Sequence, residues 1–256
     1  MRRLAVYLTL GCFACGGGGG GEQGSEAGGA AGGGAAAGAA AALGTGSITG
    51  SVNFTGTAPE NPTIDMAEEP SCRAKYPDAP RNPQVVVTGG KLANVFVYVK
   101  SGLPAGATFP MPSQRAVVDQ DGCLYHPRVL GVMVGQDLEI RNSDSLSHNI
   151  KAVPANQRGF NISQPRAGMS TTRTFSTPEI MVPLECSVHG WMNAFVGVVA
   201  HPFFATSGSD GSFTISGLPD GTYEIEAWHE KFGTRTATVT VSGGGAAAAE
   251  FTFAAQ

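Results

Sequence analysis

Several common sequence features are missing from this chain of 256 residues, and each absence excludes a class of protein. No run of basic residues marks a nucleic-acid surface, and the formal net charge is −4. Neither a phosphate-binding Walker sequence nor a dinucleotide-binding glycine fingerprint occurs, so no nucleotide site is indicated. Helical periodicity nowhere extends beyond about two turns, which excludes a helical bundle. We therefore expect a β protein that does not bind nucleic acid.

The N-terminal residues resemble a bacterial lipoprotein leader. Two arginines precede an apolar stretch from Leu4 to Ala14, and these eleven residues are too few to span a bilayer as a mature helix. Cys12 lies within this stretch and Cys15 directly follows it; Cys15 is the favoured lipid-anchor position and Cys12 the alternative. An ordinary secretory signal is the other interpretation. Both interpretations predict that residues 1–15 direct the protein out of the cytoplasm.

Composition divides the next part of the chain into a tether and an irregular segment. Residues 16–45 are almost entirely Gly and Ala, which offer too little apolar side chain to offset the entropy of ordering. We expect a flexible tether there. Residues 46–83 are predicted to form an N-terminal strand over 47–54, which alternates with period two, and then a surface excursion. The excursion, over 57–83, carries six prolines and little periodicity.

The pattern after the excursion is that of many short strands. They are divided by Gly, Pro and Asp, as in an all-β sandwich. One of them, residues 92–99, has apolar side chains on both faces, so we expect both faces to be covered. The predicted strands cover residues 85–87, 92–99, 116–118, 130–134, 138–140, 171–175, 180–184 and 194–200.

The sequence CSVHGWM, from Cys186 to Met192, concentrates potential metal ligands. Two residues separate Cys186 from His189, and two more separate His189 from Met192. A thiolate, imidazoles and a weak axial thioether are the ligands of a mononuclear blue-copper site, for which His148 is the candidate second imidazole. Zinc and nickel are the alternative metals, since imidazole and thiolate also suit zinc, but a thioether is unusual for zinc. Buried Cys and Met can also be core residues, and the ligand spacing favours a site over that alternative.

Two segments together resemble a cupredoxin. CSVHGWM followed by the apolar NAFVGVV is similar to the last loop and strand of that family, with the amicyanin-like ligand spacing. VMVGQDLEIRNSDSLSHNI resembles the strand pair that carries the first histidine. The resemblance implies a Greek-key β-sandwich over residues 84–202 that binds one type 1 copper. Its implied ligands are His148, Cys186, His189 and Met192.

The resemblance also implies roles for residues beside the ligands. The Asn149 side chain is expected to tie the His148 strand to the Cys186 loop. Trp191 is expected either to shield the metal or to pack in the core. The outer edge of His189 is expected to reach an exposed apolar patch, where electrons would enter and leave.

The remaining cysteines and histidines leave alternatives open. Cys72 and Cys123 stand in polar, loop-like surroundings and could form a disulfide in an oxidising compartment. The alternative is a second metal site that uses Cys123 and His126. Like His126, His201 and His229 are isolated in the sequence, and we interpret all three as structural or solvated residues.

Residues 203–256 are predicted to form a second β unit. Four alternating strands are joined through two Asp-Gly turns, at Asp210-Gly211 and Asp220-Gly221. The stretch SGSDGSFTISGLPDGTYEIEA resembles the carboxypeptidase regulatory-like, transthyretin-like β-sandwich, which implies a non-catalytic unit. About 50 residues are few for an independent core. We therefore hypothesise that this unit packs on the cupredoxin-like unit and recruits the 47–54 strand.

These predictions combine into one function. We expect an exported blue-copper electron-transfer protein in the bacterial periplasm or cell envelope, lipid-anchored to a membrane and exchanging electrons with redox partner proteins. The alternative is a copper-binding or structural module for storage or delivery. An oxidase or reductase would need a second copper cluster or an open site, and the sequence contains no His-x-His pair. The protein is therefore predicted not to be an enzyme.

Overall fold

The computed structural model describes residues 40–255, so the predicted leader, with Cys12 and Cys15, lies outside the described residues. In residues 40–255 there are eighteen strands and one short helix, α1 (Pro70–Arg73), which confirms the predicted all-β class. The strands are β1 (Gly46–Thr55), β2 (Val87–Thr88), β3 (Lys91–Leu92), β4 (Phe96–Ser101), β5 (Ala116–Asp121), β6 (Leu124–His126), β7 (Val129–Met133), β8 (Leu138–Asn142), β9 (His148–Ala152), β10 (Phe160–Gln164), β11 (Met169–Arg173), β12 (Glu179–Glu185), β13 (Asn193–Val199), β14 (Phe204–Thr206), β15 (Ser212–Leu218), β16 (Gly221–His229), β17 (Gly233–Val241) and β18 (Ala246–Ala254).

Strands from both ends of the described chain form one sandwich, here named the terminal sandwich (β1–β4 and β14–β18). One sheet has the order β15-β1-β3-β2, with β18 also paired to β1, and the facing sheet has the order β14-β4-β16-β17. Strand β16 alternates as its sequence requires, with Tyr223, Ile225 and Ala227 buried in the shared core. Because β1 pairs with both β15 and β18, the hypothesis that the C-terminal unit recruits the 47–54 strand is confirmed.

The intervening strands β5–β13 form a second sandwich, here named the central sandwich. Its sheets have the orders β10-β9-β12-β13-β7 and β11-β8-β5-β6. Two pairings, β7 with β13 and β5 with β8, are parallel, and the others are antiparallel. Aliphatic side chains from both sheets, such as Ile140, Ile150 and Val196, fill the core between them. The central sandwich is thus inserted into the terminal one between β4 and β14.

The position of β4 differs from the predicted boundary of the copper-type domain at residue 84. Strand β4 pairs with β14 and β16, so it belongs to the terminal sandwich. Both of its faces are buried, as expected, but by different partners: Val97 and Val99 lie in the terminal core, whereas Phe96 and Tyr98 pack towards the central sandwich. A strand that is apolar on both faces does not reveal which sheet it joins.

Two facing glycines allow the sandwiches to approach closely. Gly131 of β7 and Gly197 of β13 are direct neighbours in the parallel pair. A Cβ atom on Gly131 would lie 2.3 Å from Cδ2 of Phe204, and one on Gly197 would lie 2.5 Å from Cε1 of Phe96. The absence of side chains at these two positions therefore makes room for aromatic rings of the terminal sandwich.

A buried ion pair also joins the two sandwiches. Arg128, just before β7, donates through Nε and Nη2 to the two carboxylate oxygens of Glu230, the Nη2 contact being 2.8 Å long. Both side chains are almost fully buried. Because the pair is bidentate, it fixes the orientation of the guanidinium relative to the carboxylate.

The segments before β1 and after it are ordered against the sandwiches. Ala41 donates a backbone hydrogen bond to Thr108 and Gly44 donates one to Gly217, so the end of the predicted tether, residues 40–45, is held by the fold. The Pro-rich excursion over 57–83 contributes buried side chains to the core of the central sandwich. Among the described residues, none of the helical structure has the length and apolar character needed to cross a bilayer.

Candidate metal centre

The candidate ligands lie at one end of the central sandwich, where three strands begin or end. His148 is the first residue of β9, and Cys186 directly follows β12. The loop from Cys186 to Met192 returns the chain to β13. Its backbone is closed by hydrogen bonds from Met192 N–H to His189 O (2.9 Å) and from Cys186 N–H to Met192 O (3.2 Å). The compact loop therefore holds its side chains in a defined arrangement.

Three donor side chains converge at this loop. The ligand atoms of His148, Cys186 and His189 all lie within 4.8 Å of one another. The two Nδ1 atoms are 2.9 Å apart, and Cys186 Sγ is 3.9 Å from Nδ1 of His189. The three residues are only 0%, 4% and 2% exposed, respectively. Met192 is buried in the same core cluster as Cys186. One thiol and two imidazoles make a donor group of the kind that binds copper.

The surroundings of Cys186 stabilise its thiolate. Burial opposes ionisation, but hydrogen bonding to His148 and His189 and to backbone N–H groups lowers the pKa of the thiol to about 5. The His189 N–H donates to Sγ at 3.3 Å. In turn, hydrogen bonding to Cys186 raises the pKa of His189 against the effect of burial. The thiolate is the form of cysteine that binds metals, so the lowered pKa of Cys186 favours binding of a soft cation.

Asp144 fixes the orientation of the first imidazole, a role that was not predicted from the sequence. His148 Nε2 lies 2.8 Å from Asp144 Oδ2, so Nδ1 remains directed towards the other ligands. The Asp144 side chain is fully buried and pairs with Lys75 Nζ at 2.6 Å. Burial opposes its ionisation, but hydrogen bonds from Lys75, from the N–H of Cys123 and from His148 lower the pKa of Asp144. The four-residue spacing from Asp144 to His148 was the available sequence signal.

The two residues expected beside the ligands both contact the site. Asn149 Oδ1 accepts a hydrogen bond from the Ser187 N–H at 2.7 Å, so this side chain joins the His148 strand to the ligand loop. The Trp191 ring lies 5.1 Å from the His189 ring between centroids. Trp191 Nε1 donates to the carbonyl of Cys123 at 3.0 Å. Trp191 therefore packs against the ligand and is also anchored to a neighbouring turn.

The outer edge of His189 is covered, which corrects the expectation that it reaches an exposed apolar patch. Its Nε2 atom lies 3.7 Å from Glu69 Oε2 and 3.9 Å from Cys72 Sγ. Both contacts come from the Pro-rich excursion, which sequence patterns placed at the surface without assigning it a partner. The apolar Val188 of the same loop is 56% exposed.

Cys72 and Cys123 form a disulfide in the structure, with a Cα–Cα distance of 5.7 Å. The bond occupies the Cys123 thiol, which is therefore not a ligand in a site with His126. For the same reason the second convergent group, Cys123 with Asp144 and His148, lacks a free thiolate.

The three isolated histidines lie apart from this centre. His126 is exposed at the end of β6. His201 uses Nε2 to donate to the carbonyl of Val99 at 2.8 Å and Nδ1 to accept the Phe203 N–H. His229 is fully buried in the terminal sandwich.

The fold and donor set define a β-sandwich protein with a candidate mononuclear metal centre. A family match covers β13 and the strands β14–β18 of the terminal sandwich. Residues 193–254 match the carboxypeptidase regulatory-like domain, which confirms the resemblance noted for residues 203–256. No curated protein is similar enough in sequence to count as a match.

Solved structures that are similar to part of the chain include a purple cupredoxin, amicyanin variants and a copper-containing nitrite reductase. A purple cupredoxin from Nitrosopumilus maritimus is 24% identical, with 32% of this chain and 98% of that chain covered and a TM-score of 0.29. A Cu(I) form of an amicyanin variant is 20% identical, with 40% of this chain and 97% of that chain covered and a TM-score of 0.30. A copper-containing nitrite reductase from Thermus scotoductus is 18% identical, with 57% of this chain and 28% of that chain covered and a TM-score of 0.30.

Proposed function

We propose that the protein is a type 1 copper electron-transfer protein, with copper bound by His148, Cys186, His189 and Met192. The observation that carries this proposal is the convergence of three buried donors, one of them a thiol whose pKa is lowered to about 5. Soft thiolate and imidazole ligands with a weak thioether suit copper better than zinc or a hard cation.

Bound copper would supply a Cu(I)/Cu(II) couple that accepts and releases one electron. The protein residues hold the site in one geometry, so that little rearrangement accompanies the change of charge. Asp144 holds the His148 ring through Nε2, and Asn149 joins the His148 strand to the ligand loop. The His189 N–H directed at Cys186 Sγ stabilises negative charge on sulfur. Because the donors are buried, water would have little access to the bound metal.

We further propose that the protein is not an enzyme, since one-electron transfer through a buried site requires no substrate pocket. Its partners are then redox proteins that approach the sandwich closely enough for an electron to pass. Storage or delivery of copper is the competing function, and it requires that the metal leave the site readily.

The proposed location is the bacterial periplasm or cell envelope. The Cys72–Cys123 disulfide supports an oxidising compartment outside the cytoplasm. The proposed lipid anchor is Cys15 or Cys12, followed by a Gly/Ala-rich tether. Because residues 40–45 are held by the fold, the proposed tether is residues 16–39. A flexible chain of this length has a root-mean-square reach of about 25–30 Å, which would let the copper domain meet partners near the membrane.

Addition of Cu(II) to the purified protein tests this function. We expect an intense visible absorption band from charge transfer between thiolate and Cu(II). The band should disappear on chemical reduction, return on reoxidation and persist when a chelator is added. Colourless copper binding, or colour that a chelator removes within minutes, would instead indicate storage or delivery.

A further inference from the structure

Residues 69–76, here named the cap segment, contact the outer side of His189 directly and reach His148 through Asp144. Glu69 Oε2 lies 3.7 Å from Nε2 of His189. Six residues later, Lys75 Nζ lies 2.6 Å from Asp144, whose other carboxylate oxygen contacts Nε2 of His148. One short stretch around α1 therefore places a negative charge beside one imidazole and neutralises a negative charge beside the other.

Several contacts attach the cap segment to the turn between β5 and β6. The Cys72–Cys123 disulfide is the covalent one. The Tyr76 hydroxyl donates to the carbonyl of Gly122 at 2.6 Å. Within the segment, the Glu69 carbonyl accepts the N–H groups of Cys72 and its neighbour Arg73 at 3.0 Å. The position of the Glu69 carboxylate over His189 is thus fixed by a crosslink, by a side-chain hydrogen bond and by the helical turn.

From this arrangement we propose that Glu69 is a positioning residue that caps His189 and lowers the reduction potential of the metal centre. The inference rests on the proposed function and goes beyond it. The side chain occupies the place from which solvent or a partner would otherwise reach Nε2, leaving His189 only 2% exposed. A redox partner therefore meets the cap segment at this point and not the imidazole itself.

The electrostatic sign follows from the charges. An anion near the metal stabilises Cu(II) more than Cu(I), because Cu(II) carries the larger positive charge. The Glu69 carboxylate oxygen lies 3.7 Å from Nε2 of His189, beyond hydrogen-bond distance, so the effect expected here is that of its charge. Lys75 acts in the opposite sense, because it neutralises Asp144. Loss of the Glu69 charge should raise the potential, and loss of the Lys75 charge should lower it.

Reduction potentials of charge-removing variants test the electrostatic part. Glu69→Gln removes the charge but keeps the size of the side chain. We expect the reduction potential to rise by about 59 mV, which for one electron is a tenfold rise in the ratio of Cu(I) to Cu(II) affinity. Glu68→Gln is the matched control, because Glu68 is its exposed neighbour with the same charge. Lys75→Gln should shift the potential downward. Equal potentials for the Glu69 and Glu68 variants would overturn the proposal.

Chemical modification of histidine in the copper-free full-length protein tests the cap without depending on copper. Diethyl pyrocarbonate acylates accessible imidazole nitrogens, and mass spectrometry locates the product. The exposed His126 should react, whereas His189 should be protected and should become reactive in Glu69→Ala or after reduction of the disulfide. If His189 reacts as fast as His126 in the unaltered protein, the cap does not exist. Failure of the proposed function would be recognised separately, as the lack of a visible copper band.

Discussion

At the scale of single residues, the polar atoms behind the ligands decide how the centre is arranged. Asp144 lies behind His148, Glu69 lies behind His189, and Asn149 fixes the loop that carries Cys186. Such outer contacts orient the ligands and alter their donor strength, and their loss typically costs 10–100-fold in metal affinity or activity. Substitution of each ligand should therefore have an effect that depends on the role of that ligand.

Replacement of the thiolate tests the central assignment. Cys186→Ser removes the sulfur that gives the charge-transfer band, so the visible colour should vanish even if some copper still binds. His148→Ala and His189→Ala should each weaken copper binding or make the metal readily exchangeable. The exposed loop residue Ser187, replaced by Ala, is the control and should leave the spectrum unchanged. A Cys186→Ser variant with the parent spectrum would contradict the assignment.

The thioether should behave differently from the other ligands. In Met192→Leu a weak axial donor is lost and the surroundings become more apolar, so copper and colour should largely remain while the reduction potential rises. Voltammetry and the visible spectrum of the same sample measure both effects. Complete loss of copper from this variant would show that Met192 does more than bind axially.

At the scale of elements, strand β16 carries a histidine that the fold keeps neutral. His229 is fully buried, with its ring stacked 4.8 Å from that of Phe232. Burial, together with the positive charges of Arg128 and Lys231, lowers its pKa to about 4. Its Nδ1 atom accepts the Lys231 N–H. The terminal sandwich therefore contains a titratable group that disfavours protonation.

This burial predicts a pH-dependent stability. Because the unfolded chain binds the proton near pH 6.5 and the fold only near pH 4, the contribution of His229 is full above pH 6.5. It is lost as pH falls towards 4. Between pH 7.5 and 4.5 the loss should amount to about 2–3 kcal/mol. The free energy of unfolding of the copper-free protein, measured in urea at both pH values, should therefore fall by about 2–3 kcal/mol less in His229→Leu than in the parent. His126→Leu, at an exposed position, should show the pH dependence of the parent. An equal change in the free energy of unfolding with pH for the two variants would contradict the prediction.

At the scale of the whole molecule, the terminal sandwich is completed by segments that lie far apart in the sequence. Strand β1 lies between β15 and β18, and strand β4 lies between β14 and β16. The segment 203–256 by itself therefore lacks a central strand in each of its two sheets. Long-range pairing of this kind binds the two ends of the described chain into one core.

The consequence is that the C-terminal unit should not fold alone. A fragment of residues 203–256 would expose the edges of β15, β16 and β18 and the apolar face that β1 covers. We expect it to give an unfolded spectrum by circular dichroism and rapid proteolysis, whereas residues 40–256 should resist the protease. Release of a stable 205–256 fragment by limited proteolysis of the full-length protein would contradict this view.

The proposed membrane anchor is also a property of the whole molecule. Metabolic labelling with a radioactive or alkyne-modified fatty acid should place label on Cys15, or on Cys12, in cells that express the full sequence. Cys15→Ser and Cys12→Ser variants identify the position. If neither cysteine carries label, the anchor is excluded and the leader is an ordinary secretory signal.

The sequence by itself determined those features that depend on local pattern and on ligand chemistry. Alternation with period two predicted most of the strands, including β1, β15 and β16. The Asp-Gly turns are hairpin signals, but in the described chain neither joins two strands that pair with each other, because β14 pairs with β4, β15 with β1, and β16 with β4 and β17. The spacing within CSVHGWM, together with the SHN sequence at His148, was sufficient to choose the candidate ligands. These signals are readable because they arise from neighbours in the chain or from residues whose chemistry is rare.

Only the tertiary structure decided how the segments are partnered. The membership of β4 in the terminal sandwich could not be read, because a strand buried on both faces carries no sign of which sheet it joins. The places of Glu69 and Lys75 beside the ligands were equally hidden. The Pro-rich segment that contains Glu69 and Lys75 shows no periodic pattern that would predict which way these side chains point. Their partners, His189 and Asp144, lie more than 60 residues away in the sequence. Such contacts depend on long-range folding, which brings the cap segment, the β5–β6 turn and the ligand loop together.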